Sequence, residues 1–471
     1  MPLQRIIIYL LTIMLLSAQQ PSFRVLAQQQ KIDFTLLEKA VADELKDTGA
    51  PGAAVALVSG DRIVYAKGFG VASIETQTPV IPEMLFRLGA TTRMFTASAL
   101  LMLAEEGKIG VHEPVGHYIK GLSAKLSLVT THHLLTNTAG LKDDALLYGP
   151  HNDAALGEGI RAWKDDYLIA PPGQKFFYSN PGYWVAGLVL EEVSEKPFAD
   201  QMSELLLKPL GMNSSTFRPT MAMTFPLAQG HDISGAQRPT VVRPTADHAG
   251  TWPSGSLFSS ASDLARFVIA FLNEGKIEGR QIIAPAVIAK VSTPYIEIPG
   301  TNRNYGYGLI INEYRGVRLL RHAGGRLGYG SLIVMAPKYR LGVIILTNLN
   351  SAVFNRSAEK ALELMMPLTP KPGLAATVAM NETEMARYVG IYSDPPSRVE
   401  ILIRDGQLFI KEFGVTLPVN RTVDNRMLIT PPLSSQAEAI EFVPGSGGRI
   451  EYLRKGWRTY KRVRPEKQQL Q

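Results

Sequence analysis

A proline-rich stretch, Pro367-Leu-Thr-Pro-Lys-Pro-Gly373, separates two parts of the chain that have different hydrophobic patterns. Clustered prolines stiffen a segment and stop helices and strands from continuing through it. Upstream, from Ile32 to about Met366, short apolar runs mix with longer runs at helical spacing. This mixture is typical of an α+β fold rather than a regular βαβ repeat. We therefore expect one domain over residues 28–366, a linker over 367–380 and a second domain over 381–471.

Local patterns predict individual elements of the first part. Ala53–Val58 and Arg62–Phe69 are apolar runs joined by a short glycine-containing turn, which indicates a β-hairpin. Thr91–Glu106 carries apolar residues at helical spacing and is followed by Gly107, which indicates a helix and its end. The same reasoning predicts two more helices and two more strands at Gly182–Glu192, Ser262–Leu272, Leu332–Met335 and Leu341–Thr347.

The second part shows a different rhythm. After about Glu384, short runs of alternating polar and apolar residues are divided by turn residues such as Asp405-Gly406 and Gly445-Ser-Gly-Gly448. Closely spaced short strands with turn signals between them are typical of a β-sandwich or β-barrel. We expect a small all-β barrel of about 90 residues here.

The first 27 residues have the features of a secretory signal peptide. Arg5 precedes an apolar run from Ile6 to Leu16, and Val25-Leu-Ala27 offers a small-residue cleavage site, with Ala18 as a second choice. The apolar run is too short to span a bilayer. We expect an exported, periplasmic or secreted protein with no stable membrane span after cleavage; the alternative is an anchor retained through an unused cleavage site.

Composition removes several classes of function. The chain has no cysteine, which excludes disulfides and thiolate nucleophiles. Its formal charge of +7 is small for 471 residues and gives no indication of nucleic-acid binding. We find no phosphate-binding glycine loop and no Gly-x-Ser-x-Gly elbow, and the pairs His112/His117 and His132/His133 lack metal-ligand spacing. The sequence thus indicates neither a cofactor nor a metal.

A series of polar, glycine-containing segments resembles one enzyme family. The segments are Phe86–Thr96, His133–Leu141, Pro172–Tyr183, Lys208–Met212, Gly255–Arg266 and His322-Ala-Gly-Gly325. Their order resembles that of the penicillin-recognising serine hydrolases, which include class C beta-lactamases, DD-peptidases and related esterases. The resemblance spans roughly Ile32 to Met366. It implies an antiparallel sheet flanked by helices, together with a helical subdomain.

The resemblance also implies roles for particular residues. In this family a Ser-x-x-Lys motif opens the nucleophile helix, and on this chain its two positions correspond to Ala90 and Arg93. Tyr178 and Asn180 match the Tyr-x-Asn motif, with Tyr178 in its catalytic position. His322-Ala323-Gly324-Gly325 matches the strand motif that binds substrate. The last 90 residues, including Tyr388-Val-Gly-Ile-Tyr392, resemble the lipocalin-like β-barrel attached to many of these hydrolases.

Three departures from the family pattern fall in this one site. Alanine has no hydroxyl, so Ala90 cannot attack a carbonyl or carry an acyl group. Arginine stays protonated, so Arg93 cannot act as the general base. Ala323 also lacks the hydroxyl that binds substrate carboxylate in the family. The backbone N–H groups of Ala90 and Gly325 can still form an oxyanion hole. We therefore expect a pseudoenzyme that binds peptidoglycan-like or acyl-peptide ligands.

The sequence leaves several alternatives open. Arg93 either grips a ligand carboxylate or fills the vacated space while donating to Tyr178. Three other residues also have a purely structural interpretation. Tyr178 can be a packed aromatic, Asn180 a turn or cap residue, and His322 a strand residue whose ring is hydrogen-bonded to the backbone.

Two rival functions also stand. An active hydrolase of beta-lactamase, D-aminopeptidase/DD-peptidase or esterase type is possible through Tyr178, His322, Thr91 or Thr92. An envelope scaffold that acts through the C-terminal barrel is the other. The literal Ser357-Ala-Glu-Lys360 follows the last family motif, and we expect no catalysis from it. The oligomeric state is not predicted.

Overall fold

The computed structural model describes residues 32–144, 146–233, 238–370, 376–394, 397–412, 415–434, 437–445, 447–456 and 458–463. The predicted signal peptide lies outside these residues. Residues 35–471 form one unit, and residues 32–34 before it have no helix or strand.

Within the described ranges, the α-helices are α1 Thr35–Thr48, α2 Thr92–Glu105, α3 Ala124–Ser127, α4 Thr131–Leu135, α5 Ala155–Arg161, α6 Asn180–Ser194, α7 Phe198–Met202, α8 Pro219–Ala222, α9 Trp252–Gly255, α10 Ala261–Leu272, α11 Pro285–Val291, α12 Asn355–Met365 and α13 Glu382–Ala386.

The first sheet has eight strands, in the order β2-β1-β14-β13-β12-β11-β10-β9, and every neighbouring pair is antiparallel. Its strands are β1 Gly52–Ser59, β2 Arg62–Gly70, β9 Ile296–Glu297, β10 Asn304–Tyr305, β11 Ile310–Tyr314, β12 Val317–Arg326, β13 Tyr329–Ala336 and β14 Leu341–Thr347. Three two-stranded sheets pair β3 Phe86–Arg87 with β6 Phe258–Ser259, β4 His231–Asp232 with β5 Thr240–Val241, and β7 Lys276–Ile277 with β8 Arg280–Gln281.

Helices cover the eight-stranded sheet and form a layer beside it. Helix α10 packs on β1 and β14, whereas α12 packs on β14 and on α1. Helix α2 contacts α6, α9 and α11, and its residues from Thr92 to Leu101 are all buried. A helix that is apolar on every side must lie inside the protein. The predicted α+β class, with an antiparallel sheet flanked by helices, is confirmed.

The C-terminal part forms a second, curled sheet with the shape of a half-barrel. Its ten described strands follow the order β15-β20-β21-β22-β23-β24-β16-β17-β18-β19. They are β15 Thr377–Val378, β16 Gly390–Asp394, β17 Ser397–Arg404, β18 Gln407–Glu412, β19 Val415–Pro418, β20 Asn420–Thr422, β21 Met427–Ile429, β22 Glu438–Pro444, β23 Ile450–Lys455 and β24 Arg458–Val463. The predicted all-β character is confirmed. Strand β15 lies inside the segment predicted as linker, and the domain boundaries stay a prediction.

Two glycines let strand β12 approach the turn that precedes α2. A Cβ on Gly324 would lie 1.9 Å from the Leu88 carbonyl oxygen and 2.9 Å from the Ala90 nitrogen. A Cβ on Gly89 would lie 2.6 Å from the backbone of Gly325, and Gly89 also has a φ of +57°. Both contacts fall below the separation of ordinary van der Waals neighbours. Only glycine fits, and this close approach brings Ala90 against the predicted substrate-binding strand.

We predict that Gly324→Ala destabilises the protein by about 1–3 kcal/mol, because the added methyl forces β12 away from the turn before α2. The matched control is Gly159→Ala in helix α5, where a Cβ meets nothing within 4 Å. Alanine at an exposed helical position stabilises by about 0.5–1 kcal/mol. Denaturant unfolding measures both changes, and equal stability of the two variants would contradict the packing described here.

Candidate functional site

The structure brings the predicted site residues together around the side chain of Arg93. Arg93 lies one residue into helix α2 and is completely buried. Its guanidinium carbon lies 4.0 Å from the ring centre of Tyr178 and 4.6 Å from that of Tyr183. Its Nη2 donates to Asn180 Oδ1 at 2.8 Å, and Nη1 makes a longer contact of 3.4 Å with Asn137 Oδ1. Two aromatic faces and two amide oxygens thus hold the cation.

This geometry favours the space-filling interpretation of Arg93 over the carboxylate grip. Both terminal nitrogens already point at protein acceptors, and the side chain has no exposed surface. The sequence interpretation had Arg93 donate to Tyr178, but the structure places the cation over the ring of Tyr178. A cation over a desolvated aromatic face is worth about 2 kcal/mol. Arg93 is therefore well held without a ligand.

Asn180 is fixed by the start of helix α6. Ser179 caps this helix, since its Oγ accepts from the Gly182 N–H, and a proline follows Asn180 in the first turn. Both the backbone N–H and the side-chain amide of Asn180 donate to Asp143 Oδ1, at 2.9 and 3.1 Å. The amide oxygen of Asn180 is thereby turned towards Arg93. The negative charge of Asp143 thus stabilises the buried Arg93 cation indirectly, because the Asn180 side-chain amide lies between them.

Asn137 is a site residue that the sequence reasoning did not single out. It follows helix α4 with a φ of +57°, a left-handed conformation that asparagine tolerates better than most residues. Its Oδ1 accepts from the Ser179 N–H at 3.1 Å as well as from Arg93. The sequence signal that could have identified Asn137 was its position within His133–Leu141, one of the segments that resemble the family.

His322 faces the same cluster from strand β12. Its Nδ1 lies 2.6 Å from the Ala323 carbonyl oxygen, and its Nε2 lies 3.4 Å from the hydroxyl of Tyr305. Burial, and then the nearby Arg93 cation, lower the pKa of His322 to about 3. His322 is therefore a neutral imidazole near pH 7 and a weak base.

Ala90 lies at the partly exposed surface of the site, on the turn Gly89–Thr91, with Gly324 opposite. Neither neighbouring threonine replaces a serine there. Thr91 is buried, and its hydroxyl contacts the Leu88 carbonyl and the Ser331 hydroxyl. Thr92 is also buried, and its hydroxyl accepts from the Leu257 N–H. No hydroxyl of this turn is directed at the position of the Ala90 side chain.

The literal Ser-x-x-Lys on helix α12 has a structural role. The Ser357 hydroxyl donates to Glu44 Oε2 at 2.6 Å, whereas Lys360 pairs with Glu363. The serine and the lysine therefore have separate partners. Among the described residues, no group of three or more histidine, aspartate or glutamate side chains is placed to hold a metal ion.

The C-terminal sheet reaches the edge of the site. Arg458, at the start of β24, places Nη2 4.0 Å from Asp143 Oδ2 and Nη1 3.8 Å from Asp394. Burial raises the pKa of the Tyr178 hydroxyl, and both Arg93 and Arg458 oppose this shift. No sequence signal pointed to Arg458, because its partner Asp143 lies more than 300 residues away along the chain.

Comparison with known proteins shows the family of the chain. The sequence model of the beta-lactamase family matches residues 37–364, well over half of the chain. The chain belongs to the beta-lactamase family. The earlier resemblance to penicillin-recognising serine hydrolases is confirmed at this level.

Individual relatives are distant. Protein flp of Staphylococcus aureus (strain MW2) is 27% identical over 329 residues, which cover 69% of this chain and 64% of flp. The unguisins hydrolase ungD of Aspergillus violaceofuscus is 27% identical over 66% of this chain and 60% of its own length. The chain thus spans less than two thirds of these curated relatives.

A solved structure matches both sheets. The octameric penicillin-binding protein homologue from Pyrococcus abyssi superposes with a TM-score of 0.67 at 26% identity, over 91% of this chain and all of that one. The structural similarity therefore extends beyond the residues that the family model matches, into the C-terminal sheet. The structure of SurE, at 21% identity and a TM-score of 0.64, shares the fold over 91% of this chain and 98% of its own.

We predict that Arg93→Met destabilises the protein by about 3–5 kcal/mol, because it removes the cation–π contacts and leaves Asn180 without its donor. The control is Arg280→Met on the exposed strand β8, which should change stability by less than about 0.5 kcal/mol. Thermal or denaturant unfolding measures both. A loss at position 93 no larger than at position 280 would contradict the anchoring role.

We also predict that His322 makes the free energy of unfolding depend on pH in the acidic range. Its pKa is about 3 in the folded protein and about 6.5 in an unfolded chain. Between these values the unfolded chain binds more protons, so the contribution is complete above about pH 6.5 and is lost as pH falls towards 3. Unfolding free energies measured from pH 7 to 4 should therefore fall more steeply for the wild type than for His322→Gln. Parallel curves would rule out the buried neutral imidazole.

Proposed function

We propose that the protein binds acyl-peptide or peptidoglycan-like ligands non-covalently, without forming an acyl-enzyme, in a cleft between the turn Gly89–Thr91, the start of α6 and strand β12. Under this proposal Ala90 and Arg93 stand at the serine and lysine positions of the family. The supporting observation is the buried guanidinium of Arg93, whose two terminal nitrogens meet Asn137 and Asn180 and which lies over the Tyr178 ring. A permanently charged group cannot take up a proton, and the methyl group of Ala90 cannot attack a carbonyl.

The remaining polar side chains near Ala90 are weak substitutes for the serine and the lysine of the family motif. The low pKa of His322 and the raised pKa of Tyr178 make the first a poor base and the second a poor source of phenolate. Thr91 and Thr92 are buried and hydrogen-bonded elsewhere. An active hydrolase that relies on these groups therefore has little support from the geometry.

The groups that recognise a ligand remain in place. The backbone nitrogen of Ala90 adjoins Gly324, and Gly89 adjoins Gly325. Under the proposal the Ala90 N–H donates to a carbonyl oxygen of the ligand. Tyr178 makes no hydrogen bond through its hydroxyl within the described part of the chain, and its side chain is partly exposed. Donors that face a cleft from the backbone and from a rigid tyrosine suit an extended peptide.

The proposal includes an exported protein, because ligands of this class occur in the cell envelope. In the part of the chain that the structure describes, no helix is long and apolar enough to cross a membrane.

We predict that a fluorescent penicillin leaves the wild-type protein unlabelled and its intact mass unchanged. Ala90→Ser alone should also stay unlabelled, because Arg93 cannot accept the serine proton. The double variant Ala90→Ser/Arg93→Lys should show partial labelling, since it supplies both a hydroxyl and an amine that can lose its proton.

Gel fluorescence and intact mass give the readout, and circular dichroism verifies folding of each variant. An ester-linked adduct on the wild type would overturn the proposal. A folded double variant without any adduct would show that the cleft no longer accepts a penicillin.

A further inference from the structure

Arg326 continues the line of site residues along strand β12. Side chains two residues apart on a strand point to the same face and lie about 7 Å apart. On this face His322 meets Tyr305, and Gly324 lies against Ala90. Arg326 is the next residue on that face and the last residue of the strand. It therefore lies beyond Ala90, at the end of the cleft opposite His322.

The guanidinium of Arg326 has few protein partners. Its Nη2 makes one long contact of 3.4 Å with the Thr251 hydroxyl, and its Nε is buried without any hydrogen bond. Among the residues that the structure describes, no carboxylate lies within 4.0 Å of it. Arg326 is partly buried, and a cation that has lost part of its hydration without gaining an anionic partner in direct contact is unfavourable. A position for an anion in direct contact with the guanidinium is therefore not filled by a carboxylate of the described residues.

A second arginine, Arg87, lies near Arg326. Arg87 is 1% exposed, and only its Nη2 is paired, at 2.5 Å from Asp247 Oδ1, while its Nε and Nη1 have no partner. Asp247 also accepts from Trp252 Nε1 at 3.2 Å and contacts His151 Nδ1 at 2.8 Å. Both oxygens of Asp247 are therefore occupied. Two fixed cations face a single carboxylate.

The pKa of Arg326 agrees with this excess of positive over negative charge. Burial, and then repulsion from Arg87, lower the pKa of Arg326 to about 9. Asp247 and the nearby Tyr148 oppose the shift only in part. Tyr148 is 50% exposed, and the His151 side chain is 71% exposed. The cluster is thus cationic inside and open to solvent at its rim.

We propose that Arg326, backed by Arg87, forms a subsite for a carboxylate carried by the ligand, at the end of the cleft opposite His322. The inference rests on the proposed function, since the same ligand places a carbonyl at the Ala90 N–H and its acidic group about 7 Å further along β12. A guanidinium binds a carboxylate through two parallel hydrogen bonds. Arg326 would thus favour acidic acyl-peptides over neutral ones.

The test compares two amide-capped probes, N-succinyl-D-alanyl-D-alaninamide, whose one acidic group is the succinyl carboxylate, and its neutral counterpart N-succinamoyl-D-alanyl-D-alaninamide. Calorimetry on the wild type should give about tenfold tighter binding of the succinyl probe, the usual effect of a charge-assisted hydrogen bond. Arg326→Met should reduce this preference to less than about twofold, and Arg326→Lys should keep part of it. The exposed-site variant Arg280→Met should behave as wild type. An equal affinity of the wild type for both probes, or an unchanged preference in Arg326→Met, would overturn the subsite.

A second measurement separates this inference from the proposed function. Glutarate alone, at matched ionic strength, should raise the melting temperature of the wild type and not that of Arg326→Met. If neither dipeptide binds but glutarate gives this difference, the subsite stands and the proposed ligand class fails. If the dipeptides bind without preference, the ligand class stands and the subsite fails. If neither dipeptide binds and glutarate has no Arg326-dependent effect, both fail. Arg326→Met is expected to fold, because it leaves no carboxylate without its partner.

Discussion

The cleft is organised by one buried positive charge that cannot be neutralised by losing a proton. Arg93 must carry its charge at any ordinary pH, so the surrounding segments supply compensation. Tyr178 and Tyr183 offer ring faces, Asn180 offers an amide oxygen, and Asp143 polarises that amide from behind. The contacts of Arg93 therefore join helix α2, the segment after α4 and the start of α6.

Backbone geometry preserves the shape of the cleft independently of these side chains. Gly89 and Gly324 permit a contact between the turn before α2 and strand β12 that no other residue allows. Such an approach depends on the absence of a Cβ and not on any reactive group. A cleft of this kind can lose its nucleophile and base and still present N–H groups to a carbonyl oxygen.

The sequence predicted what depends on local pattern and on motif order. Helix α2, helix α10 and the hairpin β1–β2 follow from hydrophobic spacing and turn residues, and they lie within two residues of their predicted limits. Contacts between distant segments were not predictable in this way. Asp143 acts on Arg93 through Asn180, and Arg458 reaches Asp143 from the other sheet. The sequence interpretation had Arg93 donate to the Tyr178 hydroxyl, whereas the guanidinium lies over the Tyr178 ring. Residue spacing along the chain does not determine the direction of a side chain.

The distribution of charge along β12 has a consequence for selectivity. At one end His322 is neutral and buried beside Tyr305, and in the middle Gly324 brings the strand to Ala90. At the other end Arg87 pairs with the carboxylate of Asp247, whereas Arg326 feels that carboxylate only at longer range. A site without a nucleophile retains only differential binding as a means of discrimination, and discrimination is greatest where an absent ligand group leaves a buried polar atom unpaired. The unpaired Nε of Arg326 belongs to a partly exposed side chain that a ligand can approach, whereas Arg93, whose Nε is also unpaired, has no exposed surface. Under the proposed function, selectivity is therefore expected to arise at the Arg326 end of the site and not beside Arg93.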